Sequence, residues 1–307
     1  MRRMIRTFAL FLSLTLTWFT TGVLAQQRPA APAPLAQPAA VAARPALWKI
    51  ADHDTTIYLF GTIHALRPGV MWMAGPVETA FKASDELVTE IPETAAADMQ
   101  AAVMESAMLA PGKSLRDLLD PGDRAKLEQA LTGFGLPASA FDRFEPWYAA
   151  VALTAFPLAR EGYSAENGVE QTFSTEAKKH GHARIGLETA AYQLAIFDSL
   201  PLDVQKSYLH EVIEGLPTLD EDLAGMVREW SAGNPDKLAE LLNADEDDPR
   251  MVAALLTNRN RAWAQWISAR MQQPGKVFMA VGAGHLAGKD SVQAMLAKSG
   301  LVAVRVQ

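Results

Sequence analysis

Residues 55–64 read TTIYLFGTIH, a β-branched and aromatic run that passes through a glycine to a histidine. Such a run, preceded by the turn residues 51–54, is typical of a strand, and the LWKI of residues 47–50 predicts the other arm of a hairpin. Residues 276–285, KVFMAVGAGH, repeat the pattern near the other end of the chain. Both runs end in Gly-x-x-His, so we expect each strand to present an imidazole just beyond its end.

Three more short strands and seven helical patterns account for most of the remaining chain. The strands are predicted at residues 86–91, 183–188 and 301–306. Apolar residues recur at helical spacing in the other segments. The predicted helices are 95–109, 120–133, 137–158, 167–180, 202–214, 219–232 and 249–271. Strands separated by helices indicate an α/β fold, a central β-sheet with flanking helices, and the interval 90–184 predicts a large helical insertion.

The amino terminus has the composition of an export signal. Residues 1–6 carry three arginines, and an apolar stretch without charge follows and ends in Val-Leu-Ala at Ala25. This pattern predicts a signal peptide over residues 1–25, cut after Ala25, with no stable membrane span after cleavage. The alternative is an uncleaved anchor helix. The Ala/Pro-rich residues 26–46 predict a linker, and residues 47–307 a single domain, which places the protein in the periplasm or outside the cell.

Composition excludes several classes of function. The chain of 307 residues has 28 basic and 35 acidic side chains and a net charge of −7, so no nucleic acid partner is expected. It has no cysteine, which excludes disulfides, thiolate metal sites and cysteine nucleophiles. The glycine-rich residues 282–288 lack the spacing of a dinucleotide loop, and neither G-x-S-x-G nor a P-loop occurs, so no organic cofactor is predicted. No pattern in the sequence fixes an oligomeric state.

Four metal-capable side chains fall at or just beyond predicted strand ends: His64, Glu90, Glu188 and His285. Sites in α/β sheets form at the carboxyl ends of strands, so we expect these groups to meet. Two imidazoles and two carboxylates suit a divalent ion such as Mn²⁺, Fe²⁺, Co²⁺ or Zn²⁺. A strand-end glutamate is also commonly a helix cap or half of a salt bridge, so a structural role for either glutamate is an open alternative.

Two glycines and an arginine extend this candidate site. Gly61 and Gly282 each stand three residues before a site histidine, where glycine permits unusual torsions or the close approach of another backbone. Arg259 falls on the apolar stripe of the predicted helix 249–271, where a guanidinium needs a carboxylate partner or a polar cavity. It is therefore either a structural partner of a glutamate or a residue of the site wall. Glu170 is a candidate partner or a further site acid.

The order of these motifs resembles the TraB/GumN family, which is related to the TIKI-type metalloproteases and more distantly to the ChaN and erythromycin-esterase group. The resemblance implies a shared α/β fold, a paired Gly-x-x-His active site and peptide hydrolysis supported by Mn²⁺ or Co²⁺. It implies His64 and His285 as metal ligands, Glu90 and Glu188 as acidic partners and Arg259 as a wall residue. The residues and segments that carry it are Trp48, 58–64, Glu90, 146–147, 168–170, 187–189, 193–194, 197–198, Trp230 with Gly233, Arg259 with Asn260 and Trp263, 281–286 and Gly288. Glu170 stands where the family more often has Asp.

The function expected from this pattern is an exported metal-dependent hydrolase, in the first place a peptidase, acting on a peptide or small-molecule substrate. The metal would polarise the scissile carbonyl, Glu90 or Glu188 would take a proton from water, and Arg259 would stabilise the oxyanion. The alternatives are a non-catalytic periplasmic binding protein for a peptide, a glycan or a metal centre, and a structural partner in an envelope assembly.

Overall fold

The computed structural model describes residues 41–242 and 248–307. Its strands, in chain order, are β1 Val41–Ala42, β2 Leu47–Ala51, β3 Thr55–Thr62, β4 Val70–Met71, β5 Glu86–Thr89, β6 Ala183–Gly186, β7 Gly275–Gly282 and β8 Val304–Arg305. Its first six helices are α1 Gly75–Lys82, α2 Ala96–Ser106, α3 Leu115–Leu118, α4 Pro121–Gly133, α5 Pro146–Arg160 and α6 Val169–His180. The later helices are α7 Ala190–Asp198, α8 Leu202–Gly215, α9 Leu219–Ser231, α10 Pro235–Leu242, α11 Pro249–Val252, α12 Asn258–Arg270 and α13 Val292–Lys298.

Six of these strands form the central sheet in the order β6-β5-β7-β3-β2-β8. The four strands from β6 to β3 are mutually parallel, and β2 pairs antiparallel with β3 and with β8. Helices flank this sheet, so the predicted α/β fold is confirmed. The two Gly-x-x-His runs are adjacent, because β3 pairs with β7 along its whole length from Thr55 opposite Gly275 to Thr62 opposite Gly282.

Alternating side chains of β3 and β7 give the sheet an apolar layer on each face. Phe60 and Phe278 belong to the larger core, which packs against the helical insertion, whereas Leu59 and Met279 belong to a smaller core with Trp263 of α12. Strands buried on both faces are expected in a parallel sheet covered by helices. Both cores therefore hold the carboxyl ends of β3 and β7 rigidly in place.

The helical insertion predicted between residues 90 and 184 is present as α2 to α6. α2 ends three residues before its predicted end at residue 109, and the largest difference concerns α5. The pattern over residues 137–158 predicts a single helix, whereas residues 137–144 form turns and α5 begins at Pro146. Glu145 N–H donates to Ala107 O at 2.8 Å and Leu109 N–H to Arg143 O at 2.9 Å, so this segment binds the end of α2 instead of continuing a helix.

The predicted signal peptide and most of the predicted linker lie outside the described residues. Residues 41–46, assigned to the linker by composition, contact the domain: β1 pairs with β4, and Arg44 N–H donates to Ser231 O at 2.7 Å. Ala43 and Ala46 are buried. Within residues 41–242 and 248–307, none of the helices is both long enough and apolar enough to cross a bilayer.

Candidate active site

The carboxyl ends of the parallel strands bring the predicted site residues to one edge of the sheet. His64 lies two residues beyond β3, Glu90 directly beyond β5 and Glu188 two residues beyond β6. His285 lies in the 3₁₀ turn Ala283–Leu286, which follows β7. Glu90 and both histidines are buried, and the Glu188 side chain is 7% exposed. The four side chains therefore share one largely dry environment.

Arg259 is the centre of this group. Its Nε and Nη2 donate to Glu188 at 3.0 and 2.8 Å, and Nη2 also donates to Glu90 Oε2 at 2.6 Å. Burial alone would lower the pKa of Arg259, but the charges of Glu90 and Glu188 more than offset it and raise the pKa. Burial also raises the pKa of Glu90, but the Arg259 charge, His64 and the Gly282 N–H, which donates to Glu90 Oε1 at 2.7 Å, lower it far more.

His285 is held as a neutral imidazole between two partners. Arg259 Nη1 lies 3.1 Å from His285 Nε2, and a guanidinium only donates, so Nε2 is the acceptor. His285 Nδ1 therefore carries the proton and donates to Asn260 Oδ1 at 2.5 Å, while Asn260 Nδ2 donates to Asp290 O at 2.8 Å. Burial and the neighbouring Arg259 charge hold the pKa of His285 well below its usual range.

Gln193 and Trp263, which were not predicted for the site, complete the ionic cluster of Arg259, Glu90 and Glu188. Gln193 Nε2 donates to Glu188 Oε2 at 2.9 Å and to Glu90 Oε2 at 3.1 Å, and so joins the two carboxylates. Trp263 Nε1 donates to Glu188 Oε1 at 3.0 Å, and the Arg259 guanidinium lies 4.8 Å from the centre of the indole ring. The spacing of Trp263, four residues after Arg259 on one helix face, could have indicated this contact.

His64 has a partner of its own. Its Nδ1 contacts the carboxylate of Glu170, near the start of α6, whereas its buried Nε2 has no hydrogen-bond partner among the described residues. Burial lowers the pKa of His64, but the Glu170 carboxylate and, more weakly, Glu90 outweigh burial and raise the pKa. Glu170 therefore orients His64 and is not the partner of Arg259.

Glycines allow the close packing around these groups. A Cβ on Gly168 would lie 2.2 Å from His64 O, so only glycine lets α6 begin against the His64 backbone. A Cβ on Gly61 would lie 2.9 Å from Ala283 Cα. A Cβ on Gly282 would lie 3.0 Å from Glu90 Oε1 and 3.8 Å from His64 Nε2. Gly61 and Gly282 have negative φ, so close approach and not unusual torsion explains both.

A cavity of about 270 Å³ adjoins one side of this cluster. His64, Glu90 and Glu170 line it, together with mainly apolar residues of β5 and the segment that follows. Glu188, Arg259 and His285 do not line it. The predicted residues therefore divide into a cavity wall around His64 and a buried ionic cluster behind it.

The predicted set of four ligands does not fit a divalent ion while Arg259 keeps this position. The guanidinium takes the His285 Nε2 lone pair and binds both carboxylates, so a cation of the protein itself holds the donors. In the described part of the chain, one group of three potential metal ligands has its donor atoms within 4.8 Å of one another. It consists of Asp52, His53 and Asp54 in an exposed turn. His64 makes no hydrogen bond to the ionic cluster among the described residues: its Nδ1 contacts the Glu170 carboxylate, and its Nε2 has no partner there.

Comparison with known proteins identifies the family to which this chain belongs. The model of the TraB/PrgY/gumN family matches residues 46–305. The chain is 24% identical to the uncharacterized protein YbaP of Escherichia coli K12 over 78% of this chain and 87% of that protein, and the YbaP of Shigella flexneri gives the same values. It is 23% identical to an uncharacterized protein of Treponema pallidum over 83% of this chain and 81% of that protein. No solved structure matches. The chain belongs to the TraB/PrgY/gumN family.

Proposed function

We propose that this protein is a hydrolase of peptides that acts outside the cytoplasm. The observation that carries the proposal is His64: it is buried, its Nδ1 is held by a carboxylate, its Nε2 has no hydrogen-bond partner among the described residues, and it lines the cavity. A carboxylate behind an imidazole fixes its tautomer and raises its basicity, which is how enzymes prepare a general base. Export rests on the sequence of residues 1–25.

In the proposed reaction His64 Nε2 takes a proton from water. The water oxygen bonds to the substrate carbonyl carbon, the carbon–nitrogen bond breaks, and the proton returns from His64 to the leaving nitrogen. Glu170 stabilises the imidazolium formed in between. Stabilisation of the developing oxyanion by Arg259 stays a prediction from the sequence, because Glu90 and Glu188 bind its guanidinium and Arg259 does not line the cavity.

Dependence on Mn²⁺ or Co²⁺ stays a prediction that rests on the family resemblance. Because Arg259 binds His285, Glu90 and Glu188, an ion at the predicted ligands would have to displace the guanidinium. We therefore assign every step of the proposed reaction to groups of the chain itself.

The test is hydrolysis of a peptide library by purified protein, with products identified by mass spectrometry. The protein is treated with chelator and assayed with and without Mn²⁺ or Co²⁺, beside the variants His64→Gln and His53→Gln. The proposal predicts cleavage that His64→Gln abolishes and His53→Gln, on an exposed turn, leaves unchanged. Tight retention of uncleaved peptide by all three proteins would instead favour the non-catalytic binding protein.

A further inference from the structure

The cavity beside His64 lies along an uncovered strand edge. β6 ends the sheet on this side in the described part of the chain, and all of its residues but the last are exposed. Ala183 and Leu187 donate their N–H groups to carbonyl oxygens of residues 85–89, at 3.1 and 2.9 Å. In a parallel pair, alternate residues bond the neighbour, so Arg184 and Gly186 direct their N–H and C=O groups outward. An open edge of this kind can accept an extended peptide.

Two basic side chains meet one carboxylate at the rim of the cavity or beside it. Arg184, which lines the cavity, donates to Glu93 Oε2 at 2.5 Å, and Lys178 donates to Glu93 Oε1 at 2.6 Å. Ser174 also donates to this carboxylate, at 3.2 Å. Two cations therefore share one carboxylate, and Arg184 keeps further guanidinium donors for a second.

The interior of the cavity has the opposite character. Leu87, Ile91 and Met99 give it apolar walls, and its inner end carries the carboxylates of Glu90 and Glu170. A negatively charged group is disfavoured beside these carboxylates and favoured at the rim, whereas an apolar side chain is favoured between them. The charges thus fix the direction in which a ligand with one carboxylate enters.

We infer that the substrate is a short peptide with a free carboxyl terminus, which lies along the outer edge of β6 with its terminal carboxylate at Arg184. This inference rests on the proposed hydrolase and names its substrate class. Arg184 is opposite Leu87, and both residues line the same cavity as His64, so a carboxylate bound at Arg184 and the proposed base face one space.

The binding test uses labelled hexapeptides whose last four positions vary among Ala, Leu, Phe and Ser. Three sets are made: peptides with a free carboxyl terminus, peptides with a terminal amide, and amidated peptides whose last residue is Asp. Fluorescence anisotropy on His64→Gln protein measures binding without turnover. The same measurement on wild-type protein, with peptides that are shown afterwards to be uncleaved, is a second measure of affinity. We expect the free acids to bind about tenfold more tightly than both amide sets, the gain of one charge-assisted hydrogen bond pair.

Arg184→Gln is expected to abolish this preference, while Lys179→Gln, an exposed residue of α6 that does not line the cavity, keeps it. Peptides N-methylated at alternate positions should bind at least fivefold more weakly, because they lose bonds to the strand edge. Equal binding of acids and amides, or a preference that survives Arg184→Gln, would overturn the inference. If the Asp amides bound like the acids, the terminal position of the carboxylate would be wrong.

The same experiment separates the two proposals. Preferential binding of free acids without any cleavage by wild-type protein would contradict the hydrolase and leave the peptide site standing. Cleavage that ignores the carboxyl terminus would contradict the peptide site and leave the hydrolase standing.

Discussion

Arg259 Nη1 and His285 Nε2 lie 3.1 Å apart, which makes the guanidinium the partner of one of the two histidines expected to bind metal. The same guanidinium pairs with Glu90 and Glu188. Two carboxylates and a neutral imidazole around a buried cation are also the donors that a divalent ion would use. The competition between Arg259 and such an ion is therefore open to direct measurement.

Removal of the guanidinium should strengthen metal binding. In Arg259→Gln the two carboxylates and the His285 lone pair lose their cation, so Mn²⁺ should bind at least tenfold more tightly than in wild type, a difference of about 1.4 kcal/mol. Isothermal titration calorimetry and the rise of Tm with Mn²⁺ both measure this. Arg259→Lys keeps a charge at the site and should stay near wild type. Equal or weaker binding by Arg259→Gln would show that Arg259 does not hold the place of the ion.

Glu170→Gln should slow hydrolysis without unfolding the protein. The amide keeps the shape of the side chain but lacks the charge that orients His64 and stabilises its protonated form, so kcat should fall about 10- to 100-fold with little change in KM. Steady-state kinetics and Tm are measured together. Glu176→Gln, on the same helix and away from His64, is the matched control. A wild-type kcat in Glu170→Gln would contradict the role given to this pair.

Gly168→Ala should destabilise the domain. The added Cβ would meet His64 O at 2.2 Å and Ala165 O at 2.8 Å, and neither backbone atom can move without shifting His64 or α6. We expect the free energy of unfolding in urea to fall by about 2 kcal/mol or more. Gly133→Ala, where no atom lies within 4 Å of the new Cβ, should change it by less than about 1 kcal/mol. A neutral Gly168→Ala would show that α6 does not pack against His64 as described.

The helical insertion should lose stability in acid through Asp142. Arg116 donates twice to Asp142, both bonds at 2.7 Å, and this lowers the pKa of Asp142 below its ordinary value. A lowered pKa means that the stabilisation is complete above the unfolded pKa of about 4 and declines as the pH falls below it. Urea unfolding of wild type and Asp142→Asn from pH 7 to pH 3 should give curves that converge at low pH. A constant difference would exclude this linkage.

Sequence patterns predicted the long elements well, because these elements bury one continuous apolar face. They failed where tertiary contacts decide. The break at residues 137–144 follows from hydrogen bonds to the end of α2, which helical periodicity does not encode. α1, which begins at Gly75 with a φ of 58° and a following proline, is too short to show a clear period.

The candidate site was likewise predicted only in part from the sequence. Strand-end position predicted that His64, Glu90, Glu188 and His285 fall at one edge of the sheet, and the apolar stripe predicted that Arg259 is buried. Strand-end position does not show which carboxylate pairs with which cation. Glu170, near the start of α6, pairs with His64 and not with Arg259. Gln193 joins the cluster because α7 begins at Ala190, two residues after Glu188, and its first turn brings the amide to both carboxylates.

Hydrolysis in ¹⁸O-labelled water tests most directly whether His64 activates water for peptide cleavage. Wild-type protein and His64→Gln are incubated with the free-acid hexapeptides, and the products are weighed by mass spectrometry. We expect wild-type protein to give amino-terminal fragments with one ¹⁸O atom in the new carboxylate and carboxyl-terminal fragments without label, and His64→Gln to give no product. Labelled product formed equally by both proteins, or no product from either under any metal condition, would contradict the proposed reaction.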